Sequence, residues 1–292
     1  MDVRETEETG VLDIPVVVYP RAWRVVASAL TIFAHGSLVW MLASYLLLGN
    51  PPLNPLRQMR WFLGFFAAPE AAAWFISRAF AARARVEGDM LVLERRDTRI
   101  EVPLESIAAV EPWRMPAPRG GVSLKLRSGR RFQYGLQLAD PVSFAKALVA
   151  AGAAPELEAV AKNPLAVLAH AKTAYGRSFL ENPILKFVVY SLVPALPVFR
   201  LHQYITYGGT FGEYYTYGLK AYLIAFGIWW ASFAIYLVLF AATFRAIVEV
   251  LALAATAIAP ARAFTARKIL ERTQRVVFYV GIPTWIALRL LV

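Results

Sequence analysis

The chain has no cysteine among its 292 residues. This excludes disulfides, thiolate-bound zinc, iron–sulfur clusters and thiol catalysis together, and leaves the redox compartment open. Charge is also scarce. Charged residues make up 17% and hydrophobic ones 58%, where a soluble domain has about 25% and 45–50%. With a mean hydropathy of +0.49, the apolar surplus exceeds what an ordinary core holds, and lipid is the natural place for it. Acidic residues number 20 against 31 basic ones, a formal charge of +11. In a membrane protein that bias belongs to basic cytoplasmic loops beside anionic lipid. No basic stretch is interleaved with stacking aromatics on a polar scaffold, so nucleic acid is not an expected partner.

Catalytic signatures are lacking as well. The chain has no P-loop, dinucleotide glycine fingerprint, His-Glu-x-x-His or Gly-x-Ser-x-Gly, so no enzyme class is indicated and no catalytic residue is assigned. No metal or cofactor is expected. Of the three histidines, His35 and His202 fall near apolar runs but at different depths, which argues against bis-histidine haem ligation. Gly208, Gly209 and Gly212 read as turns in an outer loop.

What is present is a series of long apolar runs. The first, residues 25–48, follows Arg21 and Arg24 and is long enough for a ~30 Å hydrocarbon layer. It is too long for the core of a cleaved signal peptide, so it is expected to be retained behind a tail of residues 1–20. A Pro-rich loop leads to a second run at 61–82, and residues 21–83 then form a transmembrane hairpin. A third run, 183–199, contains Pro194 and Pro197, which kink a helix. A fourth spans 221–244. A fifth, 276–292, sits at the lower length limit for crossing. Between the third and fourth lies a segment dense in Tyr204, Tyr207, Tyr214, Tyr215 and Tyr217. Amphipathic aromatics at this density are expected at the headgroup level.

From residue 84 the pattern becomes period-two. Arg85-Val86-Glu87, Met90-Leu91-Val92-Leu93-Glu94, Arg99-Ile100-Glu101-Val102 and Val122-Ser123-Leu124-Lys125-Leu126 alternate apolar and polar residues. Turns separate them at Glu87-Gly88-Asp89, Arg119-Gly120-Gly121 and Ser128-Gly129-Arg130. These are strands of an antiparallel, half-solvated sheet, and 131–138 adds another. Asp140-Pro141 then opens an amphipathic helix that ends near Gly152, with Asp at the N-cap and Pro at N1. The hairpin before Met90, the segment Ile100 to Ile107 and the strand pair from Leu124 to Phe132 resemble a bacterial pleckstrin-homology-like domain over residues 84–152. That resemblance implies a small β-domain closed by a C-terminal helix and used for interaction. An unrelated small sheet domain accounts for the same strands. A helical connector covers 153–182, where Asn163-Pro164 restarts a helix.

The expected architecture is therefore a polytopic α-helical membrane protein of about five spans, with an inserted antiparallel β-domain and a C-terminal membrane region at 183–292. Arg78, Arg83 and Arg85 stand beside a membrane end and place that domain and the N-terminus on the cytoplasmic side of a bacterial inner membrane. The basic residues Arg262, Arg267, Lys268, Arg272 and Arg275 belong on the same side if 245–260 extends the fourth helix or lies in the interface. A sixth span there would put them outside.

Two ionisable residues lie inside expected spans. His35 is roughly 16 Å from the cytoplasmic start of the first and Glu70 roughly 15 Å from the same side of the second, at 1.5 Å per residue. As an intramembrane polar pair they form either a proton relay or a hydrogen bond that pins the hairpin. On the β-domain, Arg95, Arg96, Arg99, Lys125, Arg127, Arg130 and Arg131 gather near hairpin ends. They suit anionic headgroups or an acidic partner, or are an ordinary solvated face, since Glu94, Asp97 and Glu101 are interspersed. The expected function is a non-enzymatic accessory, scaffolding or assembly subunit that contacts membrane lipids and other membrane subunits or copies of itself. The alternative is a small transporter or lipid-handling protein with its site at His35 and Glu70.

Overall fold

The computed structural model describes residues 13–48, 54–114, 120–176 and 178–291. The first twelve residues of the expected tail, most of the Pro-rich loop, Arg119 of the expected glycine turn and Val292 lie outside the described residues.

Residues 13–20 of the expected tail form a strand. β1 (Asp13–Pro20) reads Asp-Ile-Pro-Val-Val-Val-Tyr-Pro and runs into α1 (Arg21–Leu46) with no linker. Helix α2 (Pro55–Phe62) begins with Pro at its first turn, and the Asn54 side chain accepts the Arg57 N–H at 2.9 Å. A wide i→i+5 turn at Leu63–Ala67 joins it to α3 (Ala68–Ala79). Pro69 explains the irregularity, because it has no N–H for the carbonyl of Phe65 four residues back. That carbonyl accepts from Ser37 Oγ at 3.1 Å instead. β2 (Ala81–Glu87) starts after the single residue Phe80, so the last two residues of the expected second span, 81 and 82, are strand and not helix.

The remaining strands are β3 (Met90–Arg95), β4 (Thr98–Pro103), β5 (Ile107–Pro112), β6 (Gly121–Leu126) and β7 (Arg131–Gln137). All pairings are antiparallel, in the order β4-β3-β2-β1-β7-β6-β5. β1 is thus the central strand. Along it Val16 and Val18 point into the main core, while Val17 and Tyr19 point to the opposite face. Helix α4 (Pro141–Ala150) closes the main core with Phe144, Ala145 and Leu148, its start capped by Asp140 as expected. The expected connector belongs to this core. Leu157 and Val160 of a 3-10 segment at Pro155–Lys162, and Ala166 of α5 (Pro164–Tyr175), are buried with it, and Asn163 caps α5.

In the C-terminal region a wide turn at Ile184–Val189 leads into α6 (Leu192–Tyr207), which carries Pro197 in its interior and ends on left-handed Gly208. The third run therefore stays helical eight residues beyond its expected end, into the tyrosine segment. α7 (Gly212–Ile258) follows, 47 residues with a break at Gly218 where φ is +84°. At 1.5 Å per residue α7 reaches roughly 70 Å, about twice a ~30 Å hydrocarbon layer, so residues 245–258 extend the fourth helix. α8 (Ala263–Val276) carries the basic cluster, and a wide turn at Val277–Gly281 leads to α9 (Ile282–Leu291).

Among the described residues three helices are long and apolar enough to cross a membrane: Arg21–Tyr45, Ile184–Tyr207 and Gly212–Ile258. The expected second and fifth spans are not among them. Glu70 and Arg78 dilute the one, and the other is short.

The chain divides into two compact units. One comprises Met1–Ile32, Pro69–Gly176 and Leu251–Lys268; the other Phe33–Ala68, Arg177–Val250 and Ile269–Val292. The first holds the whole sheet together with α1 up to Ile32 and α3 from Pro69 onward. In the second, Leu38 and Met41 of α1 pack with Ile235 and Leu239 of α7, and Phe278 packs with Leu237 and Ala241.

The turn between α6 and α7 is tight. A Cβ on Gly212 would collide with the Tyr207 Cβ and carbonyl, whereas one on Gly209 meets open space. Gly212→Ala should therefore destabilise this hairpin by about 1–3 kcal/mol, and Gly209→Ala should change stability by less than about 0.5 kcal/mol. Thermal unfolding in detergent distinguishes them; equal effects would show that the turn is not close-packed.

Candidate functional site

On the face of the sheet opposite the main core, Trp113 lies beside Tyr19 and Ala27, with Val17, Ile76 and Phe80 around them. Its indole rests on backbone. A Cβ on Gly121 would stand 2.9 Å from the ring and one on Gly135 2.8 Å, so only glycine at these two positions lets the ring lie against the strands. The indole N–H donates to Ser123 Oγ at 3.2 Å. Over the ring sits the guanidinium of Arg24, its carbon 5.0 Å from the ring centre, a cation–π contact. Arg24 is half-buried although it belongs to the first turn of an apolar helix.

Beside this stack is a pocket of about 260 Å³ whose walls include Arg21, Arg24 and Arg131, with Ser123, Gln133 and Gly135. A second hollow of about 380 Å³ shares Arg21, Arg131 and Gln133 with it and reaches Pro20. Three guanidiniums from α1 and β7 thus face one small space. Arg131 is partly neutralised by Glu111, at 2.9 Å. Among the described residues Arg21 and Arg24 have no acidic partner. Chemically the pocket is dominated by five-donor, permanently charged groups, and the Ser123 hydroxyl on its wall is engaged by the Trp113 indole, so it is suited to holding an anion.

Of the seven basic residues expected to form a surface, only Arg131 lines this pocket. The structure separates the seven into two groups. Arg95, Arg96 and Arg99 lie on or between β3 and β4 at one side of the sheet, and Lys125, Arg127, Arg130 and Arg131 on β6, β7 and their turn at the other. Arg99 bridges Glu87 and Glu101, both at 2.6 Å, and Arg95 lies over Phe80. Arg96, Lys125, Arg127 and Arg130 are exposed. The pocket is not legible in the sequence because Arg21 and Arg24 are far along the chain from Trp113 and Gly135. The one visible signal was cations in the first turn of a helix, where the backbone dipole favours anions.

His35 is exposed on α1, its ring edge-on to Phe66 with centroids 5.9 Å apart. Glu70 is half-buried in the first turn of α3. His202 stands against Trp229, with centroids 5.0 Å apart. Tyr204, Tyr214, Tyr215 and Tyr217 are exposed, and Tyr207 lies near Tyr217. This tyrosine segment is a helix–turn–helix, braced where the buried Gln203 donates to the Glu213 carboxylate at 2.6 Å and accepts its N–H at 3.1 Å.

Two further polar clusters are structural. Asp140 accepts the N–H groups of Val142 and Ser143 at 3.0 Å each, the Ser143 hydroxyl at 2.7 Å, and pairs with His170 at 2.8 Å. Serine, aspartate and histidine meet here, but both partners bind the carboxylate, which is not the order that activates a serine. The cluster instead ties α5 to the start of α4. The second lies before the Ile184–Tyr207 helix. Glu181 binds Lys186 at 3.1 Å and Arg275 at 3.4 Å, and Glu271 on the same helix as Arg275 binds Arg245 at 2.8 Å. The expected basic stretch is thus partly consumed internally, with Arg267 fully buried.

Among the described residues no cluster of His, Asp or Glu has the makings of a metal site. Comparison with family models, with curated proteins and with solved structures found no match.

Burial alone would raise the Glu181 carboxyl, but Lys186 and Arg275 outweigh it and hold the group below its usual range. A depressed carboxylate stabilises the fold above its unfolded value and ceases to do so as pH falls through its folded one. Glu181→Gln should therefore cost about 3 kcal/mol at neutral pH, because it leaves Lys186 buried without its counter-charge. Its difference from wild type should shrink as pH drops below about 4. Melting curves from pH 7 to pH 3 provide the check; a pH-independent gap would show that the carboxylate's charge is not what matters.

Proposed function

We propose that the chain is a non-enzymatic integral membrane protein that works by docking, as an accessory, scaffolding or assembly subunit of a larger membrane complex. The observation that carries this reading is the fusion of the sheet to its helices. β1 continues into α1, α3 continues into β2 through one residue, and β1 and β2 pair with each other from Asp13↔Arg85 to Val17↔Ala81. The join is tied by the Val18 N–H to the Phe80 carbonyl at 2.9 Å and by Tyr19 Oη to Ser77 Oγ at 2.7 Å. No linker separates the sheet from these helix ends, which supports a docking module over a mobile carrier. On this reading the sheet closed by α4 serves as a pleckstrin-homology-like interaction module, a resemblance that implies no named ligand site.

The same reading has five spans, with α2–α3 and α9 joining the three long apolar helices, and the sheet on the cytoplasmic side of a bacterial inner membrane. Exposed Trp40, Phe75, Val193, Ile205 and Val250 then face lipid or partner helices.

Purification from native membranes in mild detergent tests the docking role. A stoichiometric set of other membrane subunits is expected; a solitary chain would overturn the reading in favour of transport through a site at His35 and Glu70. Topology is tested separately, using the absence of native cysteine. A probe that cannot cross the membrane should label Tyr215→Cys in intact cells and reach Arg130→Cys only after lysis. The reverse pattern would invert the assigned orientation.

A further inference from the structure

We propose that the pocket between Arg21, Arg24 and Arg131 binds a phosphate group, supplied by an anionic phospholipid at the membrane surface. Charge is the first reason. Glu111 compensates Arg131 alone, and among the described residues no carboxylate answers Arg21 or Arg24. Three guanidiniums facing about 260 Å³ repel one another unless an anion lies between them. Arginine is also the side chain whose planar donor fork matches phosphate oxygens.

Orientation is the second reason. A general excess of cations at the cytoplasmic membrane boundary explains basic residues there, but such side chains ordinarily extend into water. Arg24 turns inward instead. It lies over Trp113, which is itself seated on Gly121 and Gly135 and held through its N–H by Ser123. A Cβ at Gly135 would also come within 3.3 Å of the Arg24 guanidinium. Two glycines and an indole thus fix the position of one charge, an arrangement that a solvated arginine does not need.

Placement identifies the source of the phosphate. Arg21 and Arg24 open the Arg21–Tyr45 candidate span, and on the same turns Trp23, Val25 and Val26 expose apolar surface. Lipid-facing side chains and pocket-facing cations therefore alternate around one end of one helix, at the level where phospholipid phosphates lie. The pocket is smaller than the ~300 Å³ at which ordinary small-molecule sites begin. The open hollow beside it, lined by Pro20, Arg21 and Gln133, leaves room for the rest of a headgroup. The site would be occupied whether or not the chain docks onto other subunits.

The test uses the full-length protein in a non-ionic detergent with three probes: phosphatidylglycerol, phosphatidylcholine and inorganic phosphate. Bound lipid is counted by native mass spectrometry, and the thermal midpoint is followed for each probe. Phosphatidylglycerol is expected to bind and raise the midpoint, with Arg24→Gln and Arg21→Gln each weakening binding roughly tenfold. Arg24→Lys should weaken it less, and the double change Arg127→Gln with Arg130→Gln, outside the pocket, should leave it unaltered. An Arg24-dependent response to inorganic phosphate but not to the lipid would assign the same anion site to a soluble phosphate. The proposal is overturned if neither probe gives a response that depends on Arg21 or Arg24. It is equally overturned if the Arg127 and Arg130 changes weaken binding as much, which would mean diffuse attraction to a basic surface. Should Arg24→Gln fail to fold, judged by its midpoint in phosphatidylcholine, the exposed Arg21→Gln decides the outcome.

Discussion

The first compact unit depends on the pairing of β1 with β2 where both strands meet helices. A strand emerging beside a membrane has backbone N–H and C=O groups that need partners, because lipid supplies none. Here the strand that enters α1 and the strand that leaves α3 supply each other, and the Val18 N–H to Phe80 carbonyl bond carries the ladder past the end of regular pairing. Because β1 is also paired with β7, the sheet then extends to both sides of this seam. The helices thereby template the sheet, and the sheet holds the helix ends side by side.

That seam explains the arrangement of side chains on the sheet's two faces. Away from it, residues alternate between the α4-covered core and solvent, as in any antiparallel sheet with one wet face. Beside it the second face is buried too, under Tyr19, Trp113 and Phe80. Strands tolerate burial on both faces only if what covers them is apolar and close, and two glycines make room for the indole at that point. The arginine pocket lies at the edge of this cover, where the buried patch gives way to the charged first turn of α1.

Elsewhere the chain spends its sparse charge on internal ties. Glu181, Lys186 and Arg275 bring the entry to α6 and the end of α8 together, and Arg245 links α7 to Glu271. Ion pairing leaves the net charge of +11 unchanged, and exposed cations such as Arg57, Arg96, Arg127, Arg130, Lys220 and Arg262 carry it along the chain.

Local chemistry was enough to determine much of this protein. The start of α4 follows from Asp140 and Pro141, the β2–β3 turn from Gly88 with its φ of +60°, and the apolar helices from run length, because capping, turn geometry and hydrophobic thickness act over a few residues or one segment. β1 was illegible for the opposite reason. Its Val-Val-Val run does not alternate because both of its faces pack against other elements, most of them distant in the chain, with Ile76, Phe80 and Trp113 on one face and Leu136 and Phe144 on the other. The continuation of the third run through Tyr207 turned on Gly208 as a C-cap rather than on hydropathy. The membership of residues 155–175 in the sheet's core depended on packing against α4. Arg24, Trp113, Ser123, Gly135 and Arg131 come together only because β7 pairs with both β1 and β6. Strand order is a long-range choice among many registers of similar local energy, and it is settled by the whole set of contacts at once.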